Sequence, residues 1–278
     1  MNFRDCSPII VAALLALPPV FAPLQAQQPA RQTQTQQQGL VLNDKGYFER
    51  QGVNFLVFSN AFTGGFNDEK NAGIEIIHHG VRTVQGGAVR LSKTPEQWDL
   101  VPQSTRRVNQ ADNSIEVTMR FNDYNFTSRV VATAKGNAVE LSLYLDEPLP
   151  ESVVGKAGFN LEFIPSQYWG KTYIADGRIN RFPRYAVSKT EVLPNEDKPR
   201  QYKGFRTYDD RDTGKFVDPL PLESGKTFVI APDDPERMIK ITSDSTMELF
   251  DGRIVAQNGW YTLRTQLPAG KTDRKSVV

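Results

Sequence analysis

Hydrophobic residues recur at every second position in several parts of this chain, and this alternation constrains the fold more than any other feature of the sequence. The clearest runs are 114–122, 139–145 and 159–163. In the last of these, Asn160 and Glu162 alternate with hydrophobic residues. Strict alternation is typical of β-strands with one face on a core and the other in water. Asn160 and Glu162 are therefore predicted to face solvent.

The same pattern, less regular, marks further strands separated by turn signals. The candidates are 53–58, 73–78, 88–92, 126–134, 227–231, 237–243, 247–250 and 260–266. Gly86-Gly87 is interpreted as a turn, and Lys135-Gly136-Asn137 between two alternating runs predicts a hairpin. No long segment has helical periodicity. The sequence therefore predicts an all-β fold, an antiparallel β-sandwich built as one large sandwich or two small ones.

One stretch departs from this pattern. Residues 180–222 are rich in Pro, Asp, Lys and Arg and show little alternation. We expect a long irregular insertion here, which is either a functional loop or a mobile excursion from the sandwich.

The first 38 residues predict export. Residues 9–17 form an apolar run after Arg4, and the small residue Ala26 follows it. This is the pattern of a signal peptide over 1–26, and the run is too short to span a bilayer, which needs about 20 apolar residues. The Gln-rich segment 27–38 is expected to be a linker, so the β-sandwich module covers 39–271. The mature protein is predicted to be secreted or periplasmic, without a membrane span.

Charge and cysteine content exclude several classes of function. The formal net charge is +1, which gives no long-range attraction to nucleic acid or anionic lipid. Cys6 lies in the predicted signal peptide, so the mature chain has no thiol for disulfides, catalysis or metal binding.

Two places in the sequence are candidate metal sites. His78 and His79 are adjacent, and neighbours in a strand point to opposite faces, so we expect one in the core and one exposed. The acidic loop with Asp209, Asp210 and Asp212 is a candidate calcium site, and the alternative is a solvated turn. Calcium is the only cofactor that the sequence suggests.

Aromatic residues concentrate in the middle of the chain. Trp169, Tyr173, Tyr185 and Tyr208 are candidates for stacking against the apolar face of a sugar. The alternative is that Trp169 and Tyr173 pack in the core. No hydrolase, metalloprotease or nucleotide-binding motif is present, and no carboxylate pair is singled out. No catalytic residue is assigned.

Five stretches carry a resemblance to a known family. They are GYFERQGVNFLVFSN (46–60), GIEIIHHGVRT (73–83), VRLSKTPEQWD (89–99), GFNLEFIPSQYWGKTY (158–173) and DGRIVAQNGWYTLRTQLPAG (251–270). Together they resemble the N-terminal β-module of secreted enzymes of glycoside hydrolase family 9, the cellulase-like endoglucanases. The resemblance implies a non-catalytic module, with an inverting catalytic domain acting on β-glucan further along the same polypeptide. Its expected partners are a polysaccharide or those downstream domains.

The last residues are interpreted separately. Residues 273–278 (DRKSVV) can be encoded by a common short-read sequencing adapter, so 272–278 is predicted to be an artefactual tail of a truncated fragment. The alternative is a genuine basic tail.

Two other functions remain open. The first is that of a free-standing carbohydrate-binding or adhesive β-sandwich protein. The second is that of an enzyme, such as a lyase or epimerase, whose active site lies in the sandwich itself. The aromatic residues in the middle of the chain motivate the binding alternative, and no acid–base pair supports the enzyme alternative.

Overall fold

The computed structural model describes residues 39–59, 73–91, 103–185, 220–254 and 259–278. The predicted signal peptide and linker, most of the predicted insertion, and Tyr208, Asp209, Asp210 and Asp212 lie outside these ranges. No helix within them is long and apolar enough to cross a membrane.

The described residues form sixteen β-strands, one short α-helix and three 3-10 helices, the last at Asn122–Tyr124, Glu151–Val153 and Gly252–Ile254. The strands are β1 Val41–Leu42, β2 Phe48–Arg50, β3 Val53–Val57, β4 Ile74–His78, β5 Val81–Arg90, β6 Gln103–Asn109, β7 Ser114–Phe121, β8 Phe126–Lys135, β9 Ala138–Leu145, β10 Gly158–Phe163, β11 Thr172–Ala175, β12 Arg178–Arg181, β13 Glu223–Ile230, β14 Ile239–Asp251, β15 Tyr261–Gln266 and β16 Thr272–Val277. The helix α1 is Pro165–Tyr168. Every strand pairing is antiparallel, which confirms the predicted fold class.

The strands form two layers that diverge at β14. Hydrogen-bonded neighbours follow the order β1-β2-β3-β4-β5-β10-β15-β14-β16-β9-β8-β7-β6, and β13, β11 and β12 branch from β14. The first half of β14 pairs with β16, and its second half pairs with β15. One edge of β14 thus belongs to both layers.

A single hydrophobic core lies between the layers. It combines Ile115, Val117 and Leu141 of one layer with Leu161 and Phe163 of the other. A small cavity is lined from both sides, by β8 and β9 residues and by β10 and β15 residues, so the layers face each other. The described residues belong to one compact unit, so the fold is one large sandwich.

Two turn predictions have opposite outcomes. The hairpin at Lys135-Gly136-Asn137 is confirmed, because Lys135 pairs with Ala138 across a two-residue loop and Gly136 adopts a φ of 62°. The turn at Gly86-Gly87 is wrong. These glycines lie inside β5, where the two of them oppose the single residue Leu161 of β10, so they form a β-bulge.

The last strand is formed by the predicted artefactual tail. Residues Thr272–Val277 pair with β9 along their length and with β14 at two positions. These pairings use the main chain, which almost any sequence supplies, so they do not test the origin of the tail.

Candidate functional site

The exposed aromatic residues lie at the base of the β11–β12 hairpin. The main-chain hydrogen bonding between the two arms of this hairpin continues beyond β11 and β12. The Gly170 amide donates to the Phe182 carbonyl (2.9 Å), and the Phe182 amide donates to the Lys171 carbonyl (2.9 Å). Because these two chain segments are paired, Trp169 lies beside the segment that leads to Tyr185. We call Trp169 and Tyr185 the aromatic pair.

A buried ion pair holds the Tyr185 segment in place. The Arg253 guanidinium donates to the carbonyls of Pro183 (2.7 Å) and Arg184 (3.0 Å). Asp251, which is fully buried, accepts from Arg253 Nε (2.8 Å) and Nη2 (2.7 Å). The Pro183 carbonyl also accepts from the Tyr261 hydroxyl at 2.5 Å. The chain is thus tied to the end of β14 and the start of β15 just before Tyr185.

A cluster of buried rings supports the same segment from below. The Phe182 ring centroid lies 4.6 Å from that of Tyr261, 4.9 Å from that of Tyr173 and 5.9 Å from that of Tyr168. Offset and tilted contacts at these distances stabilise aromatic clusters beyond the burial of their area. The surface above is therefore built on a rigid base.

Tyr173 belongs to this base and is not a stacking platform. Its side chain is 3% exposed, because β11 turns it toward the core together with Ala175. Burial and the charge of Glu223 raise the pKa of Tyr173 to about 12. A ring enclosed on both faces cannot stack against a sugar, so we correct the assignment of Tyr173 as a binding residue.

Trp169 and Tyr185 remain accessible. Trp169 is 49% exposed and Tyr185 is 74% exposed. Trp169 follows α1 and Tyr185 follows the end of β12, so neither follows the alternation of a strand. Large aromatic side chains left in water on two chain segments that are hydrogen-bonded to each other mark a candidate contact surface.

The carboxylates of Asp234 and Asp176 accept hydrogen bonds from basic side chains or main-chain amides. Asp234 accepts from Lys171 (2.7 Å) and Arg237 (3.0 Å), and these hydrogen bonds lower its pKa. Asp176 accepts from the amides of Lys226 and Thr227, which lowers its pKa. Among the described residues, no cluster of histidine, cysteine and acidic side chains could hold a metal ion.

A second feature lies on the face of β5, β10 and β15 that points away from the core. Here Arg90, Asn160, Glu162, Thr262 and Arg264 are all buried, and we call these five residues the polar face. The prediction that Asn160 and Glu162 face water is wrong, since they are 0% and 4% exposed. Alternation correctly separated the two sides of β10, but it does not report whether the second side is covered.

Two glycines make room for the charged groups of the polar face. A Cβ on Gly86 would clash with the Glu162 carboxylate, and a Cβ on Gly158 would lie 2.6 Å from Arg264 Nε. The Arg264 guanidinium donates to Asn160 Oδ1 (3.3 Å) and to the Lys156 carbonyl. Arg90 Nη2 lies 3.6 Å from Glu162 Oε1. The glycines at 86 and 158, with alternating polar residues in β10 and β15, are the sequence features that could have drawn attention to this arrangement.

The two histidines are arranged as predicted, with His78 buried and His79 exposed in the following turn. The Thr83 hydroxyl donates to the Ile76 carbonyl (3.1 Å), which leaves its oxygen to accept from His78 Nδ1 at 2.7 Å. Burial, with the positive charges of neighbouring residues, lowers the pKa of His78 from 6.5 to about 4. His78 is therefore neutral at pH 7 and has a structural role.

This pKa predicts an acid-sensitive fold. Between pH 6.5 and pH 4 the unfolded chain binds a proton at His78 that the folded chain excludes, so stability falls as the pH is lowered. The shift corresponds to a loss of about 3 kcal/mol in the free energy of unfolding. The free energy of unfolding, measured by urea denaturation, should fall more between pH 7 and pH 4.5 in the wild type than in His78→Gln. Equal drops in the two proteins would contradict the assignment.

Comparisons with known proteins give no family. No protein-family profile matches the chain, and no curated protein matches it. Among solved structures, the crystal structure of Slr1438 protein from Synechocystis sp. PCC 6803 is similar over 86% of this chain and 94% of that one, with 9% sequence identity and a TM-score of 0.39. This likeness is too weak to support an inference about function.

Proposed function

We propose that this chain is a non-catalytic, carbohydrate-binding β-sandwich module of an exported glycoside hydrolase that acts on a β-glucan such as cellulose. The single observation that carries the binding role is the aromatic pair, Trp169 and Tyr185, both exposed, on two chain segments that are hydrogen-bonded to each other at Gly170 and Phe182. The connection to a hydrolase comes from the resemblance of five stretches of sequence to the family 9 module.

The chemistry of stacking supports this proposal. The C–H face of a glucose ring is apolar and flat, and it packs well against Trp and Tyr rings. A surface held in place before binding loses little conformational entropy on binding. The hydrogen bonds from Arg253 and Tyr261 to Pro183 provide that preorganisation.

The surroundings of the aromatic pair favour binding over hydrolysis. Glycosidases use two carboxylates placed about 5–10 Å apart around the scissile bond. In the described part of the chain, the carboxylates near this surface, Asp234 and Asp251, are held by Lys171, Arg237 and Arg253. They are structural groups and not an acid–base pair.

Affinity electrophoresis in gels containing soluble β-glucans tests the proposal. We expect at least one β-glucan to retard the wild-type protein. Trp169→Ala should weaken this binding about tenfold or more, which corresponds to about 1.4 kcal/mol of binding free energy. Tyr185→Ala should weaken it to a lesser extent. Tyr144→Ala is the matched control, because Tyr144 lies on the other layer under Arg129 (4.2 Å) and should leave retardation unchanged. Unchanged mobility of the wild type in every glucan would overturn the proposal.

A further inference from the structure

Strand β12 forms an open edge of the sheet. It pairs with β11 and with no other strand of the described chain. The turn between the two strands is a two-residue Asp-Gly loop, in which Asp176 and Gly177 have φ of 44° and 84°, as in a type I′ hairpin. The Asp176 carboxylate accepts from the amides of Lys226 and Thr227 in β13. The hairpin is therefore fixed before anything binds to its edge.

Alternate residues of β11 form main-chain hydrogen bonds to its two neighbours. The Asp176 amide donates to a carbonyl of β13, and the Thr172 carbonyl accepts from the residue that follows β13, both at 2.9 Å. In antiparallel pairing, the residues between these two bond to the strand on the other side. Tyr173 and Ala175 thus bond to β12.

The same alternation leaves main-chain groups of β12 pointing outward. The β12 residues opposite Tyr173 and Ala175 are Asn180 and Arg178, so their N–H and C=O groups face β11. The N–H and C=O groups of the other two residues of β12, at 179 and 181, face away from it. Within the described chain these outward groups have no hydrogen-bond partner. Two donors and two acceptors are therefore available to a further strand.

An apolar row of side chains ends at this edge. Ile179 lies opposite Ile174, which lies opposite Val229, and we call these three residues the aliphatic row. They lie on the side of the sheet that faces away from the core. Ile174 and Val229 are half-buried, whereas Ile179 is 72% exposed, the highest value for an aliphatic side chain in the described chain. Cross-strand neighbours stabilise such rows, and Ile179 lacks one on its outer side.

Positive charge surrounds the open edge. Arg178, Arg181 and Arg184 are all exposed. Arg178 forms an ion pair with Glu223 (3.0 Å), but in the described chain the side chains of Arg181 and Arg184 take part in no ion pair or hydrogen bond. The edge thus carries positive charge that is not compensated locally, and an acidic partner complements it.

A second copy of the chain is a poor partner for the same reason. Pairing two β12 strands would place Arg178 and Arg181 of both copies along one short ladder, where like charges repel. Charged side chains on edge strands are a common protection against such self-pairing.

We propose that β12 is a docking edge for an acidic polypeptide segment, which adds to the sheet as a further strand. The main chain of the segment bonds to the outward groups of Ile179 and Arg181, an apolar side chain packs beside Ile179, and a carboxylate two residues along pairs with Arg181. In this mode of recognition the main-chain bonds give affinity and the alternate side chains give specificity. The edge is independent of the proposed function, since it uses neither Trp169 nor Tyr185.

NMR titration of the isotope-labelled full chain with synthetic peptides tests this inference. The acidic probe is acetyl-Glu-Thr-Val-Thr-Glu-Thr-Val-Thr-Glu-amide, and the basic probe has Lys in place of each Glu. We expect the acidic probe to bind about tenfold more tightly or better, with the largest shifts and slowed exchange at the amides of Ile179 and Arg181. Equal affinity for the two probes would overturn the acidic partner. Absence of binding, or shifts confined to other strands, would overturn the docking edge.

Ile179→Pro tests the role of the main chain. It removes an outward N–H and no hydrogen bond within the sheet, and Pro is tolerated where the N–H of an edge strand faces solvent. We expect a melting temperature within about 3 °C of the wild type and a loss of peptide affinity of about tenfold or more. Ile179→Thr keeps the N–H and the branched shape, so this matched control should lose about threefold or less. Unchanged affinity in Ile179→Pro would overturn strand addition.

Arg181→Glu and Lys240→Glu are matched charge reversals that do not depend on the proline variant. Lys240 is also exposed, but it lies in β14, about 14 Å from β12 across three strand spacings, beyond the Debye length of about 8 Å at physiological salt. Arg181→Glu should lose about tenfold or more in affinity for the acidic probe, and Lys240→Glu less than about twofold. Equal losses in the two variants would show non-specific attraction and overturn the site.

Two further measurements separate this inference from its alternatives. Light scattering after size-exclusion chromatography should show a monomer, and a dimer that is lost in Ile179→Pro would overturn the acidic partner in favour of a second copy. Trp169→Ala should retain affinity for the acidic probe, so failure of this inference and failure of the proposed glucan binding give different results.

Discussion

Asp251→Ala is expected to lower the free energy of unfolding by about 3–5 kcal/mol. Asp251 is fully buried at the end of β14, and its carboxylate is the partner of Arg253, whose side chain is only 13% exposed. Removing the carboxylate leaves a desolvated cation without an opposite charge. Urea denaturation at pH 7 measures the loss. Because Arg253 also holds the carbonyls of Pro183 and Arg184, the variant should bind glucan more weakly than the wild type.

Two further variants isolate the ion pair. In Asp251→Ala/Arg253→Met the stranded cation is absent, so the double variant should recover much of the stability lost by the single one. The exposed pair of Arg178 and Glu223 is the surface control, and Glu223→Gln should cost no more than about 1 kcal/mol. A loss below about 1 kcal/mol in Asp251→Ala would contradict the role assigned to this pair.

Phe182→Ala should destabilise the protein by about 3–5 kcal/mol, the range for truncation of a buried aromatic residue. Its ring is 1% exposed and contacts the rings of Tyr168, Tyr173 and Tyr261, which cannot all close the cavity that truncation would leave. Thermal and urea denaturation measure the effect.

Tyr185→Ala and Phe182→Leu are the controls for this prediction. Tyr185 lies three residues further along the same segment but is 74% exposed, so its truncation should change stability by no more than about 0.5 kcal/mol. Phe182→Leu keeps most of the volume and should lose less than half as much as Phe182→Ala. Equal losses at 182 and 185 would show that the buried rings do not support the surface.

The alternation of hydrophobic residues predicted most of the strands, because it depends only on the geometry of an extended chain. It was less successful where tertiary pairing decides. The two predicted strands at 237–243 and 247–250 are replaced by the single strand β14, Ile239–Asp251, although the intervening Asp244-Ser245-Thr246 has the composition of a turn. The strand continues there because β16 pairs with it on one side of that stretch and β15 on the other.

The candidate sites were predictable only in part. Tyr173, Ile174 and Ala175 are all apolar, so the sequence has no alternation that could show which of them faces the core, and the strand pairing decides that Tyr173 and Ala175 do. Trp169 lies in a turn after a four-residue helix, where no periodicity exists to orient it. The burial of Asn160 and Glu162 depends on what lies over the outer side of β10, which a local pattern does not contain.

The position of β14 has a consequence for how this module can be divided. One strand supplies main-chain partners to β13, β15 and β16, and so to both layers. A cut on either side of it removes the partner of strands in the remaining piece and exposes apolar surface from the shared core. Residues 239–251 are therefore an unsuitable place to divide the module into complementary halves for split-protein reporters or to join the parts of a chimaera.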